Sequence, residues 1–157
     1  MKRFRFTLEK ARRWRRMQAE LEEARLAELL GRRERLRRES ATLERELAGG
    51  EQALSAAARR GAAVEPQELA ALEEFRRYVR RRREELRRAE TELEWRIGER
   101  RKAVLEARRA VRILEKFRAK KFAEWSREAD REESRIADEL HLLRRTGSGG
   151  GAFRIEG

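Results

Sequence analysis

The residue types that most often perform catalysis or bind metals are scarce in this chain. Cysteine is absent and His141 is the only histidine, so a standard zinc site, which needs several thiolate or imidazole ligands, is not expected. The glutamates stand among arginines at helical spacing, which is typical of ion pairs on open helix faces. The glycines of GSGGG lack the Lys and Ser/Thr of a phosphate-binding loop. We therefore expect no enzyme activity, no cofactor and no small-molecule substrate.

The composition indicates long helices. Of 157 residues, 46% are charged and only one is proline, which is typical of coiled coils and leaves little apolar material for a wide core. The absence of cysteine fits a reducing compartment. The arginine-rich start lacks the apolar stretch of a secretory signal, and no run is apolar enough to span a membrane. We expect an all-α protein in the cytoplasm.

The first half of the chain predicts a helix over about residues 7–60. Thr7 is a suitable N-cap, with Glu9 in the first turn. Apolar residues then recur at alternating spacings of three and four, with a one-step phase slip after the third, and form an apolar stripe that we call the seam. Its predicted members are Trp14, Met17, Leu21, Leu26, Leu29, Leu36, Leu43, Leu47 and Leu54. The pair Gly49-Gly50 marks a weak point or a kink within it.

The second half predicts a longer helix over about residues 67–145. Gly61 can end the first helix and Pro66 can open the second, which places the turn at 61–66. One unbroken heptad frame then starts at Leu69. Its apolar members are Leu69, Leu72, Val79, Leu86, Leu93, Ile97, Val104, Val111, Leu114 and Trp125. Beyond Arg145 the glycine-rich segment 146–157 predicts a flexible tail.

The short turn predicts a single domain, a long antiparallel two-helix coiled-coil hairpin with a short flexible N-terminal lead. Folding the chain about residue 63 brings apolar positions opposite one another. The expected pairs are Leu54 with Leu72, Leu47 with Val79, Leu29 with Ile97 and Trp14 with Val111. Ion pairs spaced i to i+4 assist each helix: Glu9–Arg13, Glu28–Arg32, Glu34–Arg38, Glu73–Arg77, Glu84–Arg88 and Glu92–Arg96. A parallel homodimer is an alternative, although it gives the turn no role.

The net charge of +12 raises the alternative function of a basic coiled coil that binds nucleic acid or an anionic membrane surface. Basic runs occur at 80–83, at 100–102 and around Lys120. No nucleic-acid-reading module is recognisable and acidic residues flank each run, so specific nucleic-acid binding is not the favoured interpretation.

Aromatic residues concentrate at two places and are the candidate partner-binding residues. Phe75 and Tyr78 lie outside the seam close to the predicted turn, where the hairpin offers little surface to cover them. The second group lies near both termini and is expected to fasten the N-terminal lead to the second helix or to face a partner. It consists of Phe4, Phe6, Trp14, Phe117, Phe122 and Trp125.

Two stretches resemble the flagellar FliJ family, which is related in form to the YscO proteins of virulence type III secretion. They are FRFTLEKARRWR from Phe4 and LEKFRAKKFAEWSREADREESRIADE from Leu114. The more particular element is the Phe-x-Phe-x-Leu opening, carried by Phe4, Phe6 and Leu8. The resemblance covers about residues 4–145.

The resemblance implies a cytoplasmic stalk of the flagellar protein export apparatus, monomeric alone and peripheral to the inner membrane through its partners. Family members enter the hexameric export ATPase, engage the cytoplasmic domain of the export gate and help to handle export chaperones. The end formed by residues 4–21 and 111–143 would then enter the ATPase ring. The tip around Leu72, Phe75, Tyr78 and Val79 would meet the gate.

Overall fold

A computed structural model describes residues 3–147, which form two helices, α1 (Glu9–Arg59) and α2 (Pro66–Gly147). These residues contain no strand, and the helices pack against each other, so the prediction of an all-α helical hairpin is confirmed. α1 begins two residues later than expected, because the Glu9 N–H bonds to the Phe6 carbonyl and closes a turn there. Thr7 therefore lies outside the N-cap position. α2 continues to Gly147, and the rest of the predicted tail lies outside the described residues.

The chain packs as two compact units, which are described separately. Among the described residues, the hairpin unit comprises residues 17–108, and the terminal unit comprises residues 3–16 with 109–147.

The turn of the hairpin unit follows the sequence signals. Gly61 adopts a left-handed backbone with φ of 72°, a conformation in which a side chain would be strained. The Gly61 N–H bonds to the Ala58 carbonyl and the Ala62 N–H to the Ala57 carbonyl, the two bonds of a Schellman motif. Pro66 is the first residue of α2, where its missing N–H is not needed.

The hairpin unit has a narrow core one side chain wide. Leu43, Val79 and Leu86 form a buried cluster, and Leu47 packs against it, as the predicted register requires. Farther along α2, Ile97 is fully buried. Each level of the core contains only a few apolar side chains. The stability of the hairpin unit therefore depends on keeping the apolar residues of α1 opposite those of α2.

The seam of α1 differs from the prediction near its start. Trp14 is 52% exposed, and Met17 and Leu21 are exposed as well, so their placement in the seam is wrong. The phase slip does not occur; a single heptad frame runs along α1, and all of its positions from 19 onward are buried or partly buried. They are Ala19, Glu22, Leu26, Leu29, Arg33, Leu36, Ser40, Leu43, Leu47, Gly50, Leu54 and Ala57.

Charged residues inside this frame pair across the helices. Arg100 donates to Glu22 at 2.8 Å and Arg33 donates to Glu94 at 2.9 Å. The hydrogen bond from Arg100 is the main cause that lowers the pKa of Glu22. These contacts join the positions that the predicted register brings together, so they favour one alignment of the two helices.

Ion pairs within each helix largely match the expected spacing. Five of the six predicted i to i+4 pairs are present. The exception is Glu73, which pairs with Arg76 rather than Arg77, and Arg76 also donates to Glu51 of α1 at 2.8 Å. The contact between Arg76 and Glu51 holds Arg76 close to Glu73, which accounts for the pairing of Glu73 with Arg76.

Candidate partner-binding surfaces

Three aromatic rings fasten the N-terminal segment to α2 in the terminal unit. The Phe4 ring meets Phe122 edge-on at a centroid distance of 5.2 Å and lies 5.8 Å from Trp125, and Phe122 lies 5.6 Å from Trp125. Such edge-to-face pairs contribute about 0.5–1.5 kcal/mol beyond the area that they bury. We call these three residues the terminal aromatic cluster.

A second ring pair lies beside the terminal aromatic cluster. Phe6 and Phe117 are 5.9 Å apart. Cations lie over two of the rings: Arg118 over Phe4 and Lys121 over Phe117, each at 5.8 Å. Phe4, Phe6, Phe117, Phe122 and Trp125 therefore lie together, as the sequence predicted, and anchor the start of the chain.

An ion-pair network continues this attachment along α1. The Arg12 guanidinium donates to Glu9 at 2.7 Å and to Glu115 at 3.0 Å, and Arg16 donates to Glu115 at 2.6 Å. The hydrogen bonds from Arg12 and then Arg16 lower the pKa of Glu115, and the bond from Arg12 lowers the pKa of Glu9. Both carboxylates are thus held ionised between the helices.

Trp14 lies apart from the terminal aromatic cluster and faces outward. Its ring packs under the Arg15 guanidinium at 4.9 Å. Ile113 of α2 is 62% exposed and was not singled out in the sequence. The Arg12–Glu115 contact places Trp14 and Ile113 opposite each other along the two helices. Trp14 follows Arg12 by two residues, and Ile113 precedes Glu115 by two in the antiparallel helix. Both occupy c positions of their heptads, a signal that could have identified Ile113 beforehand.

The predicted tip residues divide into a surface and its support. The rings of Phe75 and Tyr78 stack at 6.2 Å, and Tyr78 is 46% exposed. Phe75 also packs against the core cluster that contains Val79. Val79 is buried, so it supports this surface from beneath. Leu72 is partly buried and faces Gly50, where an added β-carbon would lie 3.5 Å from the Leu72 Cδ1 atom.

The last described turns of α2 have no packing partner among residues 3–147. Every residue from Arg131 to Gly147 is exposed, including Ile136, Leu140 and Leu143. These three recur at spacings of four and three, so the exposed segment presents an apolar stripe on an otherwise charged helix.

The described part of the chain lacks two kinds of feature, a metal-binding cluster and a membrane-spanning helix. Residues 3–147 contain no group of three His, Asp or Glu side chains arranged to hold a metal ion. Neither helix, over the same residues, is apolar enough along its length to cross a bilayer. The surfaces available are aromatic patches framed by charge, which suit contacts with other proteins.

The comparisons with known proteins identify the family. No curated protein and no solved structure matches the chain. The sequence model of the family described as flagellar FliJ protein matches residues 4–149, nearly the whole chain and the same region in which the resemblance was seen. The chain therefore belongs to the flagellar FliJ family, whose members are components of the flagellar protein export apparatus.

Proposed function

We propose that this protein is the central stalk of the export ATPase ring and couples that ring to the export gate. The observation that carries the proposal is the terminal unit, where α1 and α2 are held together by the terminal aromatic cluster and by Arg12 between two carboxylates. Such an attachment gives a two-helix end that keeps its shape while Trp14 and Ile113 remain exposed for a partner.

The second surface, built on Phe75 and Tyr78, is proposed to contact the cytoplasmic domain of the export gate. Phe75 is fixed by the core cluster and the Tyr78 ring stacks on it. Aromatic side chains that are held in place lose little conformational entropy on binding, which makes them effective anchors. The surrounding side chains include Glu74, Arg77 and Arg81, which supply a polar rim.

Handling of export chaperones is the third part of the proposal, and the resemblance to the family supports it. We assign the protein to the cytoplasm, where its partners hold it at the inner membrane. We also propose that it is monomeric when isolated, because both seams are used within one chain.

The test of the ring contact uses the purified full chain with the matching export ATPase at physiological salt. We expect the protein to promote ring assembly and ATP hydrolysis. Trp14→Ala should weaken this interaction about 30-fold, as expected for an exposed aromatic anchor worth about 2 kcal/mol. Because Trp14 is not part of the core, the helical content should not change.

Tyr78→Ala is the matched control for that experiment. It removes a similarly exposed ring from the other surface and should leave ATPase stimulation intact while weakening binding to the isolated gate domain. If the wild-type chain neither binds nor stimulates the ATPase, the stalk proposal is wrong. If Trp14→Ala and Tyr78→Ala weaken both interactions equally, the assignment of one surface to each partner is wrong.

A further inference from the structure

The outward side of α2 in the hairpin unit separates its charges over a length that extends far beyond the Phe75–Tyr78 surface, whose rim it meets only at Arg77, Arg80 and Arg81. Between Arg77 and Arg108, the b, e and f heptad positions contain eight basic residues and two acidic ones. The basic members are Arg77, Arg80, Arg81, Arg87, Arg88, Arg101, Lys102 and Arg108, and the acidic members are Glu84 and Glu94. We call this side the basic face. It covers about 45 Å of helix at about 1.5 Å per residue.

Acidic residues collect on the other flank of the same helix. After Tyr78, the c positions over this range are Glu85, Glu92, Glu99 and Glu106. The two arginines at the neighbouring g positions, Arg82 and Arg96, are each paired with a glutamate. A helix surface that serves only solubility would mix the two signs along every flank. Several guanidinium groups of the basic face also lack an ion pair with any residue in the described part of the chain: those of Arg77, Arg80, Arg81 and Arg101.

Two large apolar side chains stand within the basic face. Trp95 is 70% exposed and Leu105 is 60% exposed. The helical neighbours of Trp95 on this side are Thr91 and Gly98, and the space at the Gly98 Cα is open. The indole ring is therefore uncovered on the side of Thr91 and Gly98, where it can enter an apolar environment.

We infer that the basic face binds the surface of an anionic phospholipid membrane directly. Arginines along one side of a helix can reach a flat layer of negative headgroups, which attracts basic segments in proportion to their charge. Trp and Leu amid the cations would enter the boundary between headgroups and acyl chains, where an indole ring is especially favoured.

A nucleic acid is the other polyanion that could meet this face, and the apolar residues argue against it. The phosphates of a nucleic acid could pair with the guanidinium groups just as phospholipid headgroups could. The nucleic acid would gain nothing from Leu105, and a convex helix side has no groove in which bases could stack on Trp95. An anionic membrane surface would bind both the positive charges, through its headgroups, and the apolar side chains, through its acyl chains.

The first test measures binding of the full chain to vesicles of phosphatidylcholine with or without phosphatidylglycerol by co-sedimentation. We expect binding only to the anionic vesicles and a marked decrease as salt rises. Arg80→Gln combined with Arg81→Gln should lower the affinity about 30-fold, roughly fivefold for each charge. Trp95→Ala should lower it as well.

The matched control removes the same charge from elsewhere in the hairpin unit. Arg35 and Arg60 are exposed and have no ion pair with a described residue, so Arg35→Gln combined with Arg60→Gln should leave vesicle binding close to wild type. An equal loss in this control would show that net charge alone is responsible and would overturn the assignment. Equal binding to the neutral vesicles would also overturn it.

The second test reads the position of Trp95. The chain contains three tryptophans, so Trp14→Phe with Trp125→Phe leaves Trp95 as the only indole fluorophore. On anionic vesicles its emission should shift to the blue and be quenched by brominated acyl chains. Unchanged emission from vesicle-bound protein would refute insertion of this face. Binding to a fluorescent oligonucleotide without binding to vesicles would refute the lipid proposal in favour of nucleic acid.

Discussion

The glycine pair in α1 provides a quantitative test of how continuous this helix is. Gly49 and Gly50 lie inside α1, and each glycine in a helix interior costs about 1 kcal/mol relative to alanine. A β-carbon at Gly49 would contact nothing within 4 Å, and one at Gly50 would lie 3.5 Å from the Leu72 Cδ1 atom, an ordinary van der Waals distance. Neither alanine needs a neighbouring atom to move.

Gly49→Ala with Gly50→Ala should therefore stabilise the protein by about 2 kcal/mol. For a chain of this size that corresponds to a rise in Tm of about 4–8 °C, measurable by far-ultraviolet circular dichroism. Gly61→Ala is the opposing control, because its φ of 72° makes a side chain unfavourable by about 1 kcal/mol or more. A fall in Tm for Gly49→Ala would show that α1 bends at this pair and would refute the reasoning.

Three further predictions address the seam, the ion pairs and the N-terminal attachment. Ile97→Ala should lower the free energy of unfolding by about 2–5 kcal/mol because Ile97 is fully buried, whereas Leu105→Ala should change it little; urea unfolding measures both. The pKa of Glu115 is lowered in the folded protein, so its stabilising effect is present above the unfolded pKa of about 4.3 and is lost as pH falls through the lower folded value. The stability difference between wild type and Glu115→Gln should accordingly shrink on acidification in unfolding measurements between neutral and acidic pH. Phe4→Ala should release the N-terminal segment, so amide hydrogen exchange in the first turn of α1 should become faster, with Leu8→Ala as an exposed control expected to change it less.

The turn and the frame of α2 were predictable because their signals are local. Gly61 and Pro66 fix where the chain reverses, and a reversal of fixed length determines which residues of the two helices lie opposite each other. The predicted frame of α2 stays in phase from Leu72 onward because nearly every turn contains an aliphatic residue on that side. Its predicted first member, Leu69, is 50% exposed and lies outside the seam. The contact of Leu47 with the cluster around Val79 follows from these two facts.

The start of α1 was mispredicted because residue type and heptad phase disagree there. Trp14, Met17 and Leu21 are large, apolar and correctly spaced, whereas the positions that are in phase contain Ala19 and Glu22. The seam was predicted from the spacing of large apolar residues, and this favoured Trp14, Met17 and Leu21. The folded chain instead keeps its phase, because a one-step slip in a continuous helix rotates every later position away from the partner. Arg100 then compensates for Glu22 by pairing with it.

The same conflict explains why the candidate surfaces were only partly recognisable. The rings near Phe4 and Phe122 could be grouped because they share one end of the predicted hairpin. Trp14 was predicted to belong both to the seam and to the group of rings near the termini. The structure places it in neither, because its exposure depends on the true phase of α1. The heptad frame of α2 already placed Ile113 on the outer side of that helix, but its position beside Trp14 followed only from the Arg12–Glu115 contact.

Charged residues within the heptad frames of α1 and α2 determine how the two helices align. A seam of leucines alone would tolerate a slip of one heptad, since each leucine would meet another leucine. Here such a slip would separate Arg33 from Glu94 and Glu22 from Arg100, which would leave the partly buried Arg33 and Glu22 without their partners. The native alignment of the two helices is thus favoured because a shifted alignment would lose these two ion pairs. A shift of one heptad would also displace the helix residues of each candidate surface relative to their partner helix.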